Sequence, residues 1–537
     1  MASIDNVVRP VGSLAKFNTA RNSLGILRAV IVTCRYRIST AHLRQQSLSL
    51  HDAVENALAT VILDQAMLRV GIAGEDTKEP VFVRLKTIDM RRMIEWEEFI
   101  ITQAPALNTH SEAEKESESE EKQQQQDETH HEDRLLRSLE KHHEAPWEDL
   151  ADKPGWKIVV HHDPRQISSL RSDEPNVQLS FDVSFCFHHA YADGKGGYIF
   201  HGALLRALNS AARAAELQKH ILQLPASPVL PPAMETLIPF RLSWAFILRT
   251  AWAEILFPVL VPPFLRRLLR LEPSDAEIPW TGMPIDASNP TMHLRALFRV
   301  DDEAWLRRLL AQCRGHEASL TGLLHALVAR SLVRLVEGRS LRSATPIALA
   351  GYADPNVAGA TFTPGQTIHC LVTSLACGYD HDFLQSLRRG LDEHDTRVGD
   401  DAAVWAFARD MTAQLRAKAA SLPRDDIVAL SGLVSDWHEF FREKFGKPRD
   451  ASWELSNLGS LGVADTGSEK EGGWFIDRAV FTQGGNPTSA AFNVNVAGVA
   501  GHGICVTASW QEGIVDAGLV EEVAEDLRTW FAELGES

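Results

Sequence analysis

Residues 177–208 (VQLSFDVSFCFHHAYADGKGGYIFHGALLRAL) constrain the fold of this chain more than any other stretch. Leu179, Phe181, Val183, Phe185 and Phe187 alternate with Ser180, Asp182, Ser184, Cys186 and His188, a period of two over a full strand length. By the same parity, His189 shares the phenylalanine face if the strand runs that far. Asp193 and Gly194 then supply turn chemistry, and Tyr198, Ile199, Ala203, Leu204 and Leu208 follow at helical spacing. A strand that ends in histidine and feeds a tight turn before a helix places an imidazole at the rim of a sheet, where sites are commonly built.

Histidine suits proton transfer there, because its ordinary pKa near 6.5 leaves it largely neutral at physiological pH and able to accept a proton. Three other double histidines begin at His130, His142 and His161, and none is followed by Asp-Gly at the same spacing, so the pair alone carries little meaning. The complete H-H-x-x-x-D-G string has a chance expectation on the order of 10⁻² in a chain this long. Its strand-turn-helix context makes His189 the candidate catalytic residue, with His188 structural. Asp193 is read as fixing the turn by pairing with an arginine, rather than orienting the histidine as in a hydrolase triad.

At 537 residues the chain exceeds what one hydrophobic core supports, and its 45% hydrophobic and 23% charged residues are ample for two. Strand-like runs at 27–36, 156–160, 368–376 and 491–496 interleave with helical spacing at 300–313 and 320–336, where Thr321 is the expected N-cap. This predicts a mixed α/β chain: an N-terminal domain over 1–270, a Pro-rich linker over 271–292 and a C-terminal domain over 293–537. Residues 108–133 have almost no apolar side chains and are expected to form a disordered insertion.

The formal charge of -17 argues against a nucleic-acid partner. Between Glu112 and Asp133, ten acidic side chains face only Lys115 and Lys122, so about half of that charge is local. The six cysteines are scattered without a C-x-x-C pair, which suits a reducing compartment, and the N-terminus does not read as a signal peptide. The most hydrophobic stretch, 242–265, contains Arg249, Glu254, Pro258, Pro262 and Pro263 and is too interrupted to span a membrane. It reads as a core element, a lid over an apolar channel or a peripheral membrane contact, the first two preferred because short apolar runs are more often core. No G-x-S-x-G elbow, H-E-x-x-H helix or P-loop occurs, so serine hydrolase, zinc peptidase and nucleotide triphosphatase chemistries lack their motifs.

The string from His188 to Gly194 resembles the HHxxxDG signature of the chloramphenicol acetyltransferase-like superfamily, which includes plant BAHD acyltransferases and peptide-synthetase condensation domains. Arg9-Pro10-Val11-Gly12, Phe17-Asn18-Thr19-Ala20-Arg21, Ser456-Asn457-Leu458-Gly459, Phe481-Thr482-Gln483 and Ser509-Trp510-Gln511-Glu512-Gly513 resemble the fungal alcohol acetyltransferase family, and the similarity spans nearly the whole chain. The plant DFGWG motif is absent, and residues 345–355 (TPIALAGYADP) lack the arginine expected of relatives, which leaves the partner of Asp193 open.

The resemblance implies two chloramphenicol acetyltransferase-like domains with the active site in a tunnel at their interface, entered by acetyl-CoA and an alcohol from opposite faces. His189 would be the base, Asp193 mainly structural, His188 and Gly194 motif residues, and Ser456 and Asn457 neighbours of the tunnel, although Ser-Asn before Leu-Gly also fits an ordinary turn. Acetyl-CoA is expected as co-substrate, with no permanently bound cofactor and no metal. The protein is expected to be a cytoplasmic monomer acting on a small or medium alcohol, such as a secondary metabolite, or to sit peripherally on a cytosolic membrane face. An N-acyltransferase or condensation-type enzyme of the same fold, and a non-catalytic member, are the alternatives.

Overall fold

In the computed structural model, the alternating segment forms the central strand of a five-stranded sheet. The structure describes residues 6–45, 49–99, 130–165, 178–210, 217–252, 260, 277–336, 340–392, 397–462 and 473–536. The first half runs α1 (Ser13–Ser23), β1 (Val30–Ser39), α2 (Leu50–Asp64), β2 (Ile94–Glu98), α3 (130–144), β3 (Trp156–His162), β4 (Gln178–Phe187) and α4 (Gly194–Asn209). The second half runs β5 (Met292–Val300), α5 (Glu303–Gly315), α6 (Leu320–Leu335), β6 (Leu341–Ala348), β7 (Val372–Tyr379), α7 (Ala402–Ser421), β8 (Ala451–Leu461), β9 (Phe475–Gln483), β10 (Ala490–Val499), β11 (Gly503–Gln511) and α8 (Ala517–Glu536).

The alternation of β4 divides its surroundings. Phe181, Val183, Phe185 and Phe187 enter a core shared with α2 and α4, where the Phe185 and Phe200 rings stack with centroids 3.9 Å apart. Each such fully buried side chain is worth about 1.5–3 kcal/mol, so the phenylalanines anchor α4 and the loop leading into it. The opposite face carries Asp182 and Ser184 beneath α3, where Arg35 and His131 hold Asp182 and the hydroxyls of Thr33 and Ser184 meet at 2.8 Å. In the second lobe the strands lie in the order β5-β11-β10-β8-β6-β7, and α5, α6, α7 and α8 cover the sheet over a core that includes Leu323, Leu327, Trp453, Val494 and Leu527.

The proposed division at 271–292 does not separate the two sheets. The first has the order β9-β1-β4-β3-β2, so a strand from the C-terminal half completes it, with β9 antiparallel to β1 from Phe475 opposite Arg37 to Gln483 opposite Val30. Local pattern within 475–483 does not name the strand it pairs with. Smaller differences have local causes. The cap of α6 is the Ser319 hydroxyl, accepting from the Gly322 N–H, while Thr321 faces Asn457 instead. Helix α5 starts at Glu303 behind an Asp302 cap, because Val300 still belongs to β5.

Of the expected insertion, residues 108–129 lie outside the described residues, and 130–133 are already helical. They open α3, whose Glu140 and Glu144 carboxylates accept the Leu294 and Met292 N–H groups of edge strand β5. In the apolar stretch 242–265, the described helix Trp244–Ala251 buries none of its residues. Trp244 is 78% and Leu248 65% exposed, which corrects the preferred core reading for this part of the stretch. Among the described residues no single helix is long and apolar enough to cross a membrane. All six cysteines are free and buried.

Candidate active site

Strand β4 ends at Phe187, and His188 to Asp193 form the loop into α4. His188 is buried. Its Nδ1 accepts the Ala190 N–H at 2.9 Å, so its Nε2 carries the proton and donates to Glu75 Oε1 at 2.7 Å. Both nitrogens are thus spent on holding the loop. His189 is half-buried and oppositely arranged, its Nδ1 donating to the Ala192 carbonyl at 2.8 Å. That bond assigns the proton to Nδ1 and leaves Nε2 with a free lone pair. Burial, reinforced by the nearby Arg21 charge, lowers the His189 pKa to about 4, so the ring is neutral at physiological pH.

Asp193 turns away from this imidazole. It caps α4, its Oδ1 accepting the Gly196 N–H at 2.9 Å, and its Oδ2 accepts the Leu371 N–H at 3.0 Å from the second half of the chain. The Asp193 N–H in turn donates to the His369 carbonyl at 3.3 Å, so the loop is stitched to 369–371. Contrary to expectation, among the described residues no arginine pairs with Asp193. Backbone N–H groups satisfy the carboxylate, and burial pushes its pKa up to about 6. Gly194 allows close approach of the second lobe, since a Cβ there would stand 2.4 Å from Leu458 Cδ2.

No family model matches the chain. It is 28% identical to a probable alcohol acetyltransferase of Fusarium pseudograminearum, over 99% of this chain and 96% of that protein. It is 23% identical to a probable alcohol acetyltransferase of Aspergillus fumigatus, over 97% and 98% respectively. Among solved structures it is similar to the trichothecene 15-O-acetyltransferase from Fusarium sporotrichioides, with a TM-score of 0.56 at 11% identity, covering 98% of this chain and 94% of that one. It is also similar to the condensation domain of a monacolin K polyketide synthase, with a TM-score of 0.51 at 11% identity, covering 99% and 98%. The chain is an acyltransferase of the chloramphenicol acetyltransferase-like fold.

In this acyltransferase, Ser456 and Asn457 part company. Along β8, Glu454, Ser456 and Leu458 alternate onto the face turned to the first lobe, where Leu458 borders Gly194 and Glu454 meets Gln483 and Ser489. Ser456 is therefore buried on the side of the His189 loop. Asn457 points the other way: its amide donates to Thr321 Oγ1 at 3.1 Å and its carbonyl accepts the Gly459 N–H at 2.7 Å. That is the turn chemistry of a bulge, with Gly459 at φ +67°.

Three residues around His189 escaped reading from local pattern. Asn18 of α1 donates to the His189 carbonyl at 3.3 Å, Cys370 Sγ lies 3.6 Å from His189 Nδ1, and Arg21 donates to Asn18 Oδ1 at 3.3 Å. They come from sites up to 352 residues apart, and the only signal in the sequence was the Phe17-Asn18-Thr19-Ala20-Arg21 resemblance. Away from this site, Glu95, Glu97 and His142 gather beneath α3. There Lys157 meets Glu95, the two nitrogens of His142 face Glu95 and Glu97 separately, and His161 faces Glu97. One potential ligand atom from each of Glu95, Glu97 and His142 lies within 4.8 Å of the other two, and these side chains are engaged in the polar contacts just described.

Proposed function

We propose that this acyltransferase moves an acetyl group from acetyl-CoA to the hydroxyl of a small or medium alcohol, a secondary metabolite, with His189 as general base. The observation that carries the proposal is the Nδ1 tie of His189 to the Ala192 carbonyl, which leaves Nε2 as an unprotonated acceptor. In the forward step Nε2 takes the hydroxyl proton as the alcohol oxygen bonds to the thioester carbonyl carbon. The oxyanion then re-forms the carbonyl, the C–S bond breaks, and the imidazolium returns its proton to the leaving thiolate, giving ester and free CoA. Ser456, buried on the facing strand, is the hydroxyl we assign to meet the oxyanion. Support for the substrate class comes from relatives named as alcohol acetyltransferases.

We further place the protein in the cytosol as a monomer without a permanently bound cofactor. The exposed Trp244, Leu248 and Trp252, spaced four residues apart, form the face we assign to peripheral membrane contact. The test of the function is CoA-thiol release and product mass with a panel of alcohols. His189→Ala should lower kcat by roughly 10²–10⁴-fold with the melting temperature preserved. A folded variant with near-normal turnover would remove His189 from the mechanism.

A further inference from the structure

Helix α1 buries a polar stripe. Asn18, Arg21 and Asn22 fall at i, i+3 and i+4 and share one face. All three reach the histidine loop or what holds it. Asn18 Nδ2 donates to the His189 carbonyl and to Cys370 Sγ at 3.6 Å, and Asn22 Nδ2 donates at 2.8 Å to the Glu75 carboxylate that fixes His188. Arg21 donates to Asn18 Oδ1 and, at 2.6 Å, to Asn486 Oδ1, while its guanidinium lies 5.0 Å from the centroid of the Phe17 ring. The orientation of the Asn18 amide is thereby determined twice over: Arg21 presents only donors, so the carbonyl end faces it and the NH₂ end faces His189.

Arg21 is unusual in its own right. It is 7% exposed, its Nε has no hydrogen-bond partner, and among the described residues it forms no ion pair. Glu454, itself buried and pushed up in pKa, offsets part of the Arg21 charge. A buried guanidinium without a bound carboxylate is costly to the fold, and the charge persists at every working pH because arginine keeps its proton. Its field falls on His189.

Resting on the reading of His189 as the base, we propose that Arg21 and Asn18 are its positioning residues. Arg21 orients the Asn18 carboxamide, Asn18 holds the His189 carbonyl and the Cys370 sulfur, and the fixed positive charge adds to burial in disfavouring a protonated resting imidazole.

The test reads His189 without depending on turnover. Diethyl pyrocarbonate acylates only the neutral imidazole, and mass spectrometry of the His189 peptide gives its modification rate against pH. Between about pH 5 and 8 the wild type and Arg21→Lys should react at a nearly constant rate once reagent hydrolysis is corrected, whereas Arg21→Gln, in which burial still acts, should lose a measurable part of its reactivity at the acid end. Asn18→Ala keeps the charge and should keep the flat profile, but should lower kcat roughly tenfold or more at little-changed KM. An Arg21→Gln profile as flat as the wild type, or an Arg21→Lys profile shifted equally, overturns the charge role. If Arg21→Gln does not fold, unchanged kcat in Asn18→Ala overturns the relay. Failure of the base reading looks different: no CoA release with any alcohol, or turnover surviving His189→Ala, while the reactivity profiles still report on Arg21.

Discussion

Replacing Asp193 by alanine removes a helix cap and a tie between the two lobes at once. Loss of the cap costs about 1 kcal/mol, and the buried Leu371 N–H left without its acceptor costs about 1–3 kcal/mol more. Desolvation opposes this loss, because burial raises the Asp193 pKa from 3.8 to about 6. A carboxyl with a higher pKa in the folded than in the unfolded chain stabilises the fold fully below 3.8 and loses that contribution as pH rises through 6. Integrated between pH 5 and pH 8, these two values give a wild-type loss on the order of 1 kcal/mol that the alanine variant does not share. Asp193→Ala should therefore be more damaging at pH 5 than at pH 8, by on the order of 1 kcal/mol. Urea unfolding of both proteins at the two pH values, followed by tryptophan fluorescence, measures the difference. A cost that is equal at both, or larger at pH 8, would refute the reasoning, since it would mean that a cation holds the carboxylate charged.

Ser456→Ala should reduce kcat by about 10²-fold while leaving stability nearly unchanged, whereas Asn457→Ala should cost about 1 kcal/mol with kcat retained per folded molecule, as paired kinetics and thermal melts would show. Gly194→Ala places a Cβ 2.4 Å from Leu458 Cδ2 and should destabilise by about 1–3 kcal/mol. Adding Leu458→Ala should recover part of that melting-temperature loss if the clash is its cause. Asp182→Ala deprives buried Arg35 and His131 of their carboxylate and should cost about 3–5 kcal/mol in chemical unfolding. Lying on the sheet face away from α4, it should leave kcat per folded molecule unchanged.

What the sequence revealed, it revealed through local periodicity. The alternation of 179–187 predicts β4 and its buried face, and the strand-like runs at 156–160 and 491–496 lie within β3 and β10. Asp193 was legible as turn chemistry, but its partner was not, because a backbone N–H at Leu371 leaves no trace in side-chain identity. Asn18, Arg21 and Cys370 converge on His189 only through tertiary packing, and no spacing rule joins positions that far apart. The Trp244–Ala251 helix misled for another reason: composition reports how apolar a segment is, not whether anything covers it.

The register of β9 against β1 has a practical consequence for anyone wishing to dissect this enzyme. A fragment ending near residue 290 would lack Phe475 to Gln483 and would present the N–H and C=O row of Val30 to Ser39 to solvent. That row belongs to a ten-residue, mostly apolar strand, the kind of bare edge onto which other chains add. The halves should therefore precipitate when made apart, yet give soluble, active enzyme when co-expressed, with the C-terminal fragment threading its strand into a sheet encoded by the other.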